Sequence, residues 1–184
     1  MKKETHIIID SNYSFAQALA GTDAPLDIID RLSMLDVIYY SFDGNKHQGQ
    51  IIINNELEND LETIFALMEE LKFPLGKAIP IAAYSWRDHN SMADNNTSSF
   101  NYRLIEGTNK LSLHSLGRAI DINPLQNPVI YADGTIAPAG ARYDPDKEGT
   151  FRKGHPIVEK FLKLGWHWGG NFAHLKDYHH FEKT

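Results

Sequence analysis

Cysteine is absent from the 184 residues. Disulfide staples, thiolate metal sites and cysteine nucleophiles are therefore excluded. Any metal must be held by histidine or carboxylate, a donor set that points to a catalytic rather than a purely structural site. Positive charge is also scarce: 18 Lys and Arg against 24 Asp and Glu leave a formal charge of −6. A general nucleic-acid binder needs a basic surface to neutralise phosphates, so that class is set aside. No apolar run approaches the length of a membrane span. Lys2-Lys3 near the N-terminus is followed only by Ile7-Ile8-Ile9, too short for the apolar core of a signal peptide. Internal repeats, low-complexity tracts and a Pro/Ser/Gly-rich linker are missing as well. What remains is a chain of 42% hydrophobic residues, enough for one compact domain with a core.

Periodicity supplies the elements. Ser14 to Ala20 and Leu26 to Leu32 read as short helices. Leu35 to Phe42 is rich in β-branched and aromatic residues, and Gln50 to Ile53 reads as its returning strand, so 35–53 is expected as a hairpin. Its loop is expected to contain Gly44 and Gly49. From Asn59 to Lys72, Leu61, Ile64, Phe65, Leu67, Met68 and Leu71 recur at helical spacing, and Pro74 stops the helix. Ile79 to Tyr84 reads as a strand, Ala119 to Ile122 as another, and Pro156 to Leu164 as a helix closed by Gly165. Residues 85–110 are polar and Asn/Ser-rich, a loop too long for a plain connector. Residues 131–154 are mostly irregular. Strands and helices mix without βαβ alternation, which favours an α+β fold.

Chemistry concentrates in two places. In Ser112-Leu113-His114-Ser115-Leu116-Gly117-Arg118-Ala119-Ile120-Asp121, Gly117 permits a sharp bend that folds His114 back towards Asp121. A strand from Ala119 would project Ala119 and Asp121 to one face and Ile120 and Ile122 to the other. An imidazole and a carboxylate so placed supply two of the three protein ligands of a catalytic zinc. The C-terminal Asp177-Tyr178-His179-His180-Phe181-Glu182 packs four possible ligands or bases into six residues. Parity alone does not select among them.

The two segments together resemble a known family. Ser112, His114, Gly117, Ala119 and Asp121 fill every fixed position of Ser-x-His-x-x-Gly-x-Ala-x-Asp. That is the signature of the D-alanyl-D-alanine carboxypeptidase/dipeptidase family of zinc peptidases, which also includes L-alanyl-D-glutamate endopeptidases and phage endolysins. Asp177 and His180 fit its second half, an acidic residue three before a histidine near the chain end, and Phe181-Glu182 continues it. Trp166-x-Trp168-Gly169-Gly170, the stretch from Asn95 to Arg103 and the hairpin at Asp43-Gly44 resemble one bacterial branch.

The resemblance implies a single α+β domain of the hedgehog/DD-peptidase type, a small mostly antiparallel sheet flanked by helices. Residues 1–34 would be a helical segment packed on a peptidase domain at 35–184. It implies zinc held by His114, Asp121 and His180, with Asp177 as general base. For Asp177 and His180 to share a site, the strand must be irregular or begin after Asp177. Relatives carry an oxyanion-stabilising arginine in a Tyr-Arg pair. Here Tyr84 is followed by Ser85, so Arg103 is the expected substitute and Arg87 the alternative. Ser112 would contact substrate or orient His114, with a helix N-cap as an equal reading. Asn95 and Asn96 could line the substrate groove, with helix capping or turn formation as an equal reading. His6, His47, His89, His155, His167, His174 and His179 carry no motif and are read as surface or hydrogen-bonded positions. Trp166 and Trp168 are read as core or cleft-wall aromatics.

The function implied is hydrolysis of a peptide bond in the peptidoglycan stem peptide, of D-Ala-D-Ala carboxypeptidase or L-Ala-D-Glu endopeptidase type, by a monomer. A cell-wall substrate implies an extracytoplasmic location and a leader that this sequence lacks. The competing readings are a non-catalytic cell-wall peptide-binding module of the same fold and a metal-dependent hydrolase of unrelated substrate.

Overall fold

The computed structural model describes residues 6–105 and 107–184. The chain opens with β1 (Ile8–Ile9), α1 (Phe15–Ala18) and α2 (Leu26–Ile29). Ser14 caps α1 in a capping box with Gln17. The hairpin follows as β2 (Leu32–Ser41) and β3 (Lys46–Asn54), paired antiparallel from Leu32↔Asn54 to Tyr40↔Lys46. The second helix is thus shorter than expected, because Leu32 already belongs to the sheet. Gly44 sits in the turn, but Gly49 lies inside β3. A Cβ at Gly49 would stand 2.2 Å from the Ala78 carbonyl oxygen, so a neighbouring backbone, not a loop, demands glycine there.

The amphipathic helix forms as α3 (Glu58–Glu70), with Glu58 and Asp60 in its first turn, where acidic groups suit the helix dipole. It buries Leu61, Ile64, Phe65 and Met68 against β2. Next come β4 (Pro74–Leu75) and β5 (Lys77–Ala78). The expected strand at Ile79–Tyr84 is instead a 3-10 turn over Ile81–Tyr84. Pro80 fits the start of a helical turn, where its missing N–H costs nothing. Ser85 and Trp86 then take left-handed φ of 54° and 61°, which no strand allows.

The polar segment contains α4 (Asp88–Ala93) and β6 (Asn96–Thr97). After it come β7 (Ala119–Asp121), β8 (Val129–Ile130) and β9 (Ile136–Ala137). The last helix is α5 (Pro156–Lys163), capped by His155 Nδ1 and followed by Gly165 at φ 85°. The chain closes with β10 (His167–Trp168), β11 (Lys176–Asp177) and β12 (His180–Glu182).

The fold is α+β. Among the described residues its strands divide into four small sheets, ordered β1-β3-β2-β4, β10-β12-β7, β11-β8-β9 and β5-β6. Several small sheets thus replace the single expected one, while most strand pairings are antiparallel as expected. Pro124, Pro128 and Gly134 interrupt the later strands, and β1, β4 and β5 pair in parallel with their neighbours. One core joins α3, α5, the hairpin and the C-terminal sheet. At its centre Phe181 stacks on Phe161 at 3.9 Å between ring centroids and meets Phe151 edge-on at 5.1 Å. Trp166 and Trp168 belong to this core; their indole N–H groups donate to Asp60 Oδ2 and the Tyr178 carbonyl. A smaller cluster joins α1 and α2 to Leu32, Ile52 and Phe100. Among the described residues, no helix is long and apolar enough to cross a membrane.

Candidate metal centre and its cleft

Two of the three motif groups are cross-strand partners. β12 lies antiparallel to β7 with His180 opposite Asp121 and Phe181 opposite Ile120. Side chains directly opposite share a face, so His180 and Asp121 project together while Phe181 and Ile120 enter the core. His180 Nδ1 lies 2.9 Å from Asp121 Oδ1. His114 arrives from a 3-10 turn over Leu113–Leu116, which Ser112 caps by accepting from the His114 N–H. Gly117, at φ 63°, reverses the chain into β7. A Cβ there would come within 2.6 Å of the Asn54 nitrogen, so close approach and dihedral both require glycine. The bend brings His114 Nε2 to 3.2 Å from Asp121 Oδ2 and 3.2 Å from His180 Nδ1.

The outer nitrogens are fixed as well. His114 Nδ1 donates to the Ser99 carbonyl at 2.6 Å, which leaves Nε2 turned inward. His180 Nε2 faces Glu182 Oε2 at 3.0 Å, which leaves Nδ1 turned inward. Outer partners of this kind set the tautomer of metal-binding histidines. His114, Asp121 and His180 each offer one donor atom within 4.8 Å of the others. Two imidazole nitrogens and a carboxylate converging on one point, at 3% and 4% exposure for His114 and Asp121, suit a divalent cation and match the donor preferences of zinc. The electrostatics agree. Burial opposes a charge on His180, yet the Asp121 and Glu182 carboxylates raise it to about 10. Burial likewise opposes charge on Asp121, but His114, His179 and His180 hold it well below the ordinary carboxylate range.

Asp177 ends β11 and His180 begins β12, with Tyr178-His179 as a turn between them. The strand is thus broken where parity requires. The Asp177 side chain stands one imidazole away from the donor cluster. Its Oδ1 is buried, accepts no hydrogen bond, and lies 3.1 Å from His179 Nε2. His179, read from sequence as an ordinary position, is 3% exposed. Its Nδ1 donates to the Asn127 carbonyl at 2.7 Å, and its Nε2 lies 3.9 Å from Asp121 Oδ2. It links Asp177 to the ligand set. A histidine beside a motif histidine carries no sequence signal for this; only the turn at 178–179 turns it inward.

A cleft of about 800 Å³ opens over the cluster, lined by Ser112, His114, Asp121, His179, His180 and Glu182 together with Arg103 and Asp88. Arg103 Nη2 pairs with Asp88 Oδ2 at 3.0 Å. Ser115 Oγ donates to the Arg103 carbonyl at 2.6 Å and accepts from the Arg103 N–H at 2.8 Å, tying the arginine to the His114 turn. Arg87 precedes α4, is exposed and does not line the cleft. Asn96 is 1% exposed and lies outside the cleft wall. Its amide is used up by Ile79 N–H, the Ile79 carbonyl and Ser91 Oγ, so it staples β6 to the chain after β5 rather than facing the groove. The rest of the polar segment is a wall of the site. Ser98 pairs with Asp121 through two backbone hydrogen bonds of 3.0 and 2.8 Å, and Ser99 Oγ donates to the Ala119 carbonyl.

The cluster lines the cleft of an α+β domain and offers donors that could hold a divalent metal. Residues 106–183 match the family model described as D-alanyl-D-alanine carboxypeptidase. The match covers the stretch that carries His114, Asp121 and His180 and supports the resemblance read from the motifs. No curated protein and no solved structure matches the chain.

Proposed function

We propose that the protein is a zinc-dependent peptidase acting on the stem peptide of peptidoglycan. Zinc would be held by His114 Nε2, Asp121 and His180 Nδ1. The observation that carries this reading is the convergence of those three donors, each histidine fixed by an outer acceptor, within the region matched to a peptidase family. When bound there, zinc supplies the Lewis acidity that makes a water nucleophilic near neutral pH. The chain's own groups do the rest. Asp177 would be the general base: to take a proton from the attacking water and return it to the departing amine, its side chain must turn from His179 towards the cleft. Arg103, in the cleft wall, faces the negative charge that develops on the carbonyl oxygen. Ser112 holds the His114 turn. A cell-wall substrate places the protein outside the cytoplasm.

The test is digestion of purified muropeptides by zinc-loaded protein, with and without a chelator. Cleavage abolished by chelation and restored by zinc is expected; equal cleavage in both arms would overturn the zinc mechanism.

One observation favours a second reading. Asp177 is turned to His179 and is not among the residues lining the cleft, as would suit a module of this fold that binds cell-wall peptide without cutting it. Replacing Asp177 by Ala separates the two. A catalyst loses turnover and keeps zinc, whereas a binding module keeps its peptide affinity and has no turnover to lose.

A further inference from the structure

We infer that Asp88 is a positioning residue for Arg103, and that the segment carrying α1 places Asp88 through Trp86. The inference rests on the peptidase reading above, with Arg103 facing the oxyanion, and names what holds that arginine in place.

The guanidinium is fixed from one side. Arg103 is the only arginine or lysine among the described residues that line the cleft. Its backbone is tied to the His114 turn by Ser115 Oγ and by the Ser112 N–H, which donates to the Arg103 carbonyl at 3.1 Å. Those bonds stop at the backbone and leave a long side chain with several rotatable bonds. Asp88 fixes the rest. Its Oδ2 meets Arg103 Nη2 at 3.0 Å, while its Oδ1 accepts from Asn101 Nδ2 at 3.3 Å. A carboxylate held at both oxygens orients the guanidinium as well as neutralising it. Arg103 Nε is a buried donor with no acceptor among the described residues. An unpartnered donor of this kind costs free energy until a substrate oxygen accepts from it. Without Asp88, the cation would be drawn towards Asp121 and Glu182, the other carboxylates of the cleft.

Asp88 in turn is placed from outside the cleft. It is the first residue of α4, a helix of six residues that is too short to hold itself. The left-handed pair Ser85-Trp86 leads into it, at φ 54° and 61°. The Trp86 ring packs on the smaller apolar cluster, edge-on to Phe100 at 5.9 Å between ring centroids. Its Nε1–H donates to the Ala20 carbonyl at 2.9 Å, just beyond α1. Gly21 makes room for the ring: a Cβ there would stand 3.3 Å from Trp86 Nε1, and its φ of 81° favours glycine. Two residues after this anchor, the chain presents Asp88 to Arg103. The segment carrying α1 therefore reaches the cleft through a hydrogen bond, a packed ring and an ion pair.

The experiment measures kcat and KM for muropeptide cleavage by the zinc-loaded full chain, with zinc affinity and the thermal midpoint read on every variant. Asp88→Asn keeps the shape and an acceptor for Asn101 but removes the charge. It should lower kcat by about tenfold or more, the effect of one charged hydrogen bond, with KM within about twofold and zinc affinity unchanged. Arg103→Ala should lower kcat further, and adding Asp88→Asn to it should take nothing more away. Equal losses in both backgrounds would overturn the inference, since Asp88 would then act on the scaffold rather than through Arg103. Trp86→Phe keeps a ring and loses the bond to Ala20. It should lower kcat by a smaller factor in the parent and not at all beside Arg103→Ala; an unchanged kcat in the parent would overturn the link to the α1 segment. Full activity of Arg103→Ala, or no cleavage by the parent, would instead overturn the reading of the site on which the inference rests.

Discussion

The hairpin half of the molecule and the half that carries the metal group are stabilised in different ways. In the first, β2 and β3 pair over nine registered positions and α3 lays a continuous apolar stripe against them. Regular backbone bonds and burial carry that half. In the second, no strand among the described residues after Asn54 exceeds three residues, and the chain is tied by side chains reaching backbone. Asn127 Nδ2 donates to the carbonyls of Ile122, Asn123 and Gly149, while its Oδ1 accepts from the Phe151 N–H. Asn123 similarly bonds the Pro74 and Gly149 carbonyls and the Gly76 N–H. A scaffold tolerates irregularity where buried amides satisfy the backbone groups that no ladder reaches. That is how a site needing three convergent donors is held on strands two or three residues long.

Substitutions can separate the halves. The largest effect is expected from His114→Ala, which removes a donor and should weaken zinc binding by more than the roughly 10–100-fold cost of losing an outer partner. A competition titration against a chromophoric chelator reads this, while the urea midpoint of the zinc-free protein should move little. Leu61→Ala does the reverse. It should cost about 3 kcal/mol in denaturant unfolding and leave zinc affinity unchanged; a matching loss of affinity would break the comparison. Asn127→Ala is expected to move both readouts, because it loosens the backbone that holds His179 while unsatisfying buried carbonyls, at about 2 kcal/mol. Glu182→Gln keeps the shape but weakens the orientation of His180, and zinc affinity should fall by about tenfold, the low end for an outer partner.

The smallest effect concerns pH and lies in the first half. His47 Nδ1 faces Asp10 at 2.9 Å and Nε2 faces Asp43 at 3.2 Å, tying β1 and the hairpin turn to β3. Burial lowers the pKa of this imidazole, but the two carboxylates together raise it above its ordinary value. Asp43 is lowered to about 2, chiefly by Asn45. A raised folded-state pKa means stabilisation fully present below about pH 6.5, the ordinary histidine value, and lost as pH rises through the raised one. The stability difference between the parent and His47→Gln should therefore shrink from pH 6 towards pH 9, as measured by thermal unfolding; a constant difference would assign the tie to packing alone.

The sequence made the periodic parts legible. The apolar repeat from Leu61 to Leu71, the β-branched hairpin and the Gly165 stop each follow from local spacing. The five fixed positions around His114 gave one half of the donor group, and Asp177-x-x-His180 the other. Three features escaped for physical reasons. Ile79 to Tyr84 is apolar but too short for periodicity to separate strand from helical turn, and the left-handed Ser85-Trp86 pair leaves no compositional trace. Asn96 was read with the groove because its Asn/Ser-rich surroundings look solvent-facing; its amide is buried by long-range contacts with Ile79. His179 differs from His180 only by the strand break before it.

That break has a wider consequence. Two histidines stand side by side, and what selects one of them for the metal group is Phe181, seated between Phe161 and Phe151 in the core. The aromatic ring acts as an index pin: a slip of one residue along β12 would put a charged side chain where that ring sits and send the wrong imidazole towards Asp121. Which imidazole meets Asp121 is thus decided on the dry side of the sheet, by shape.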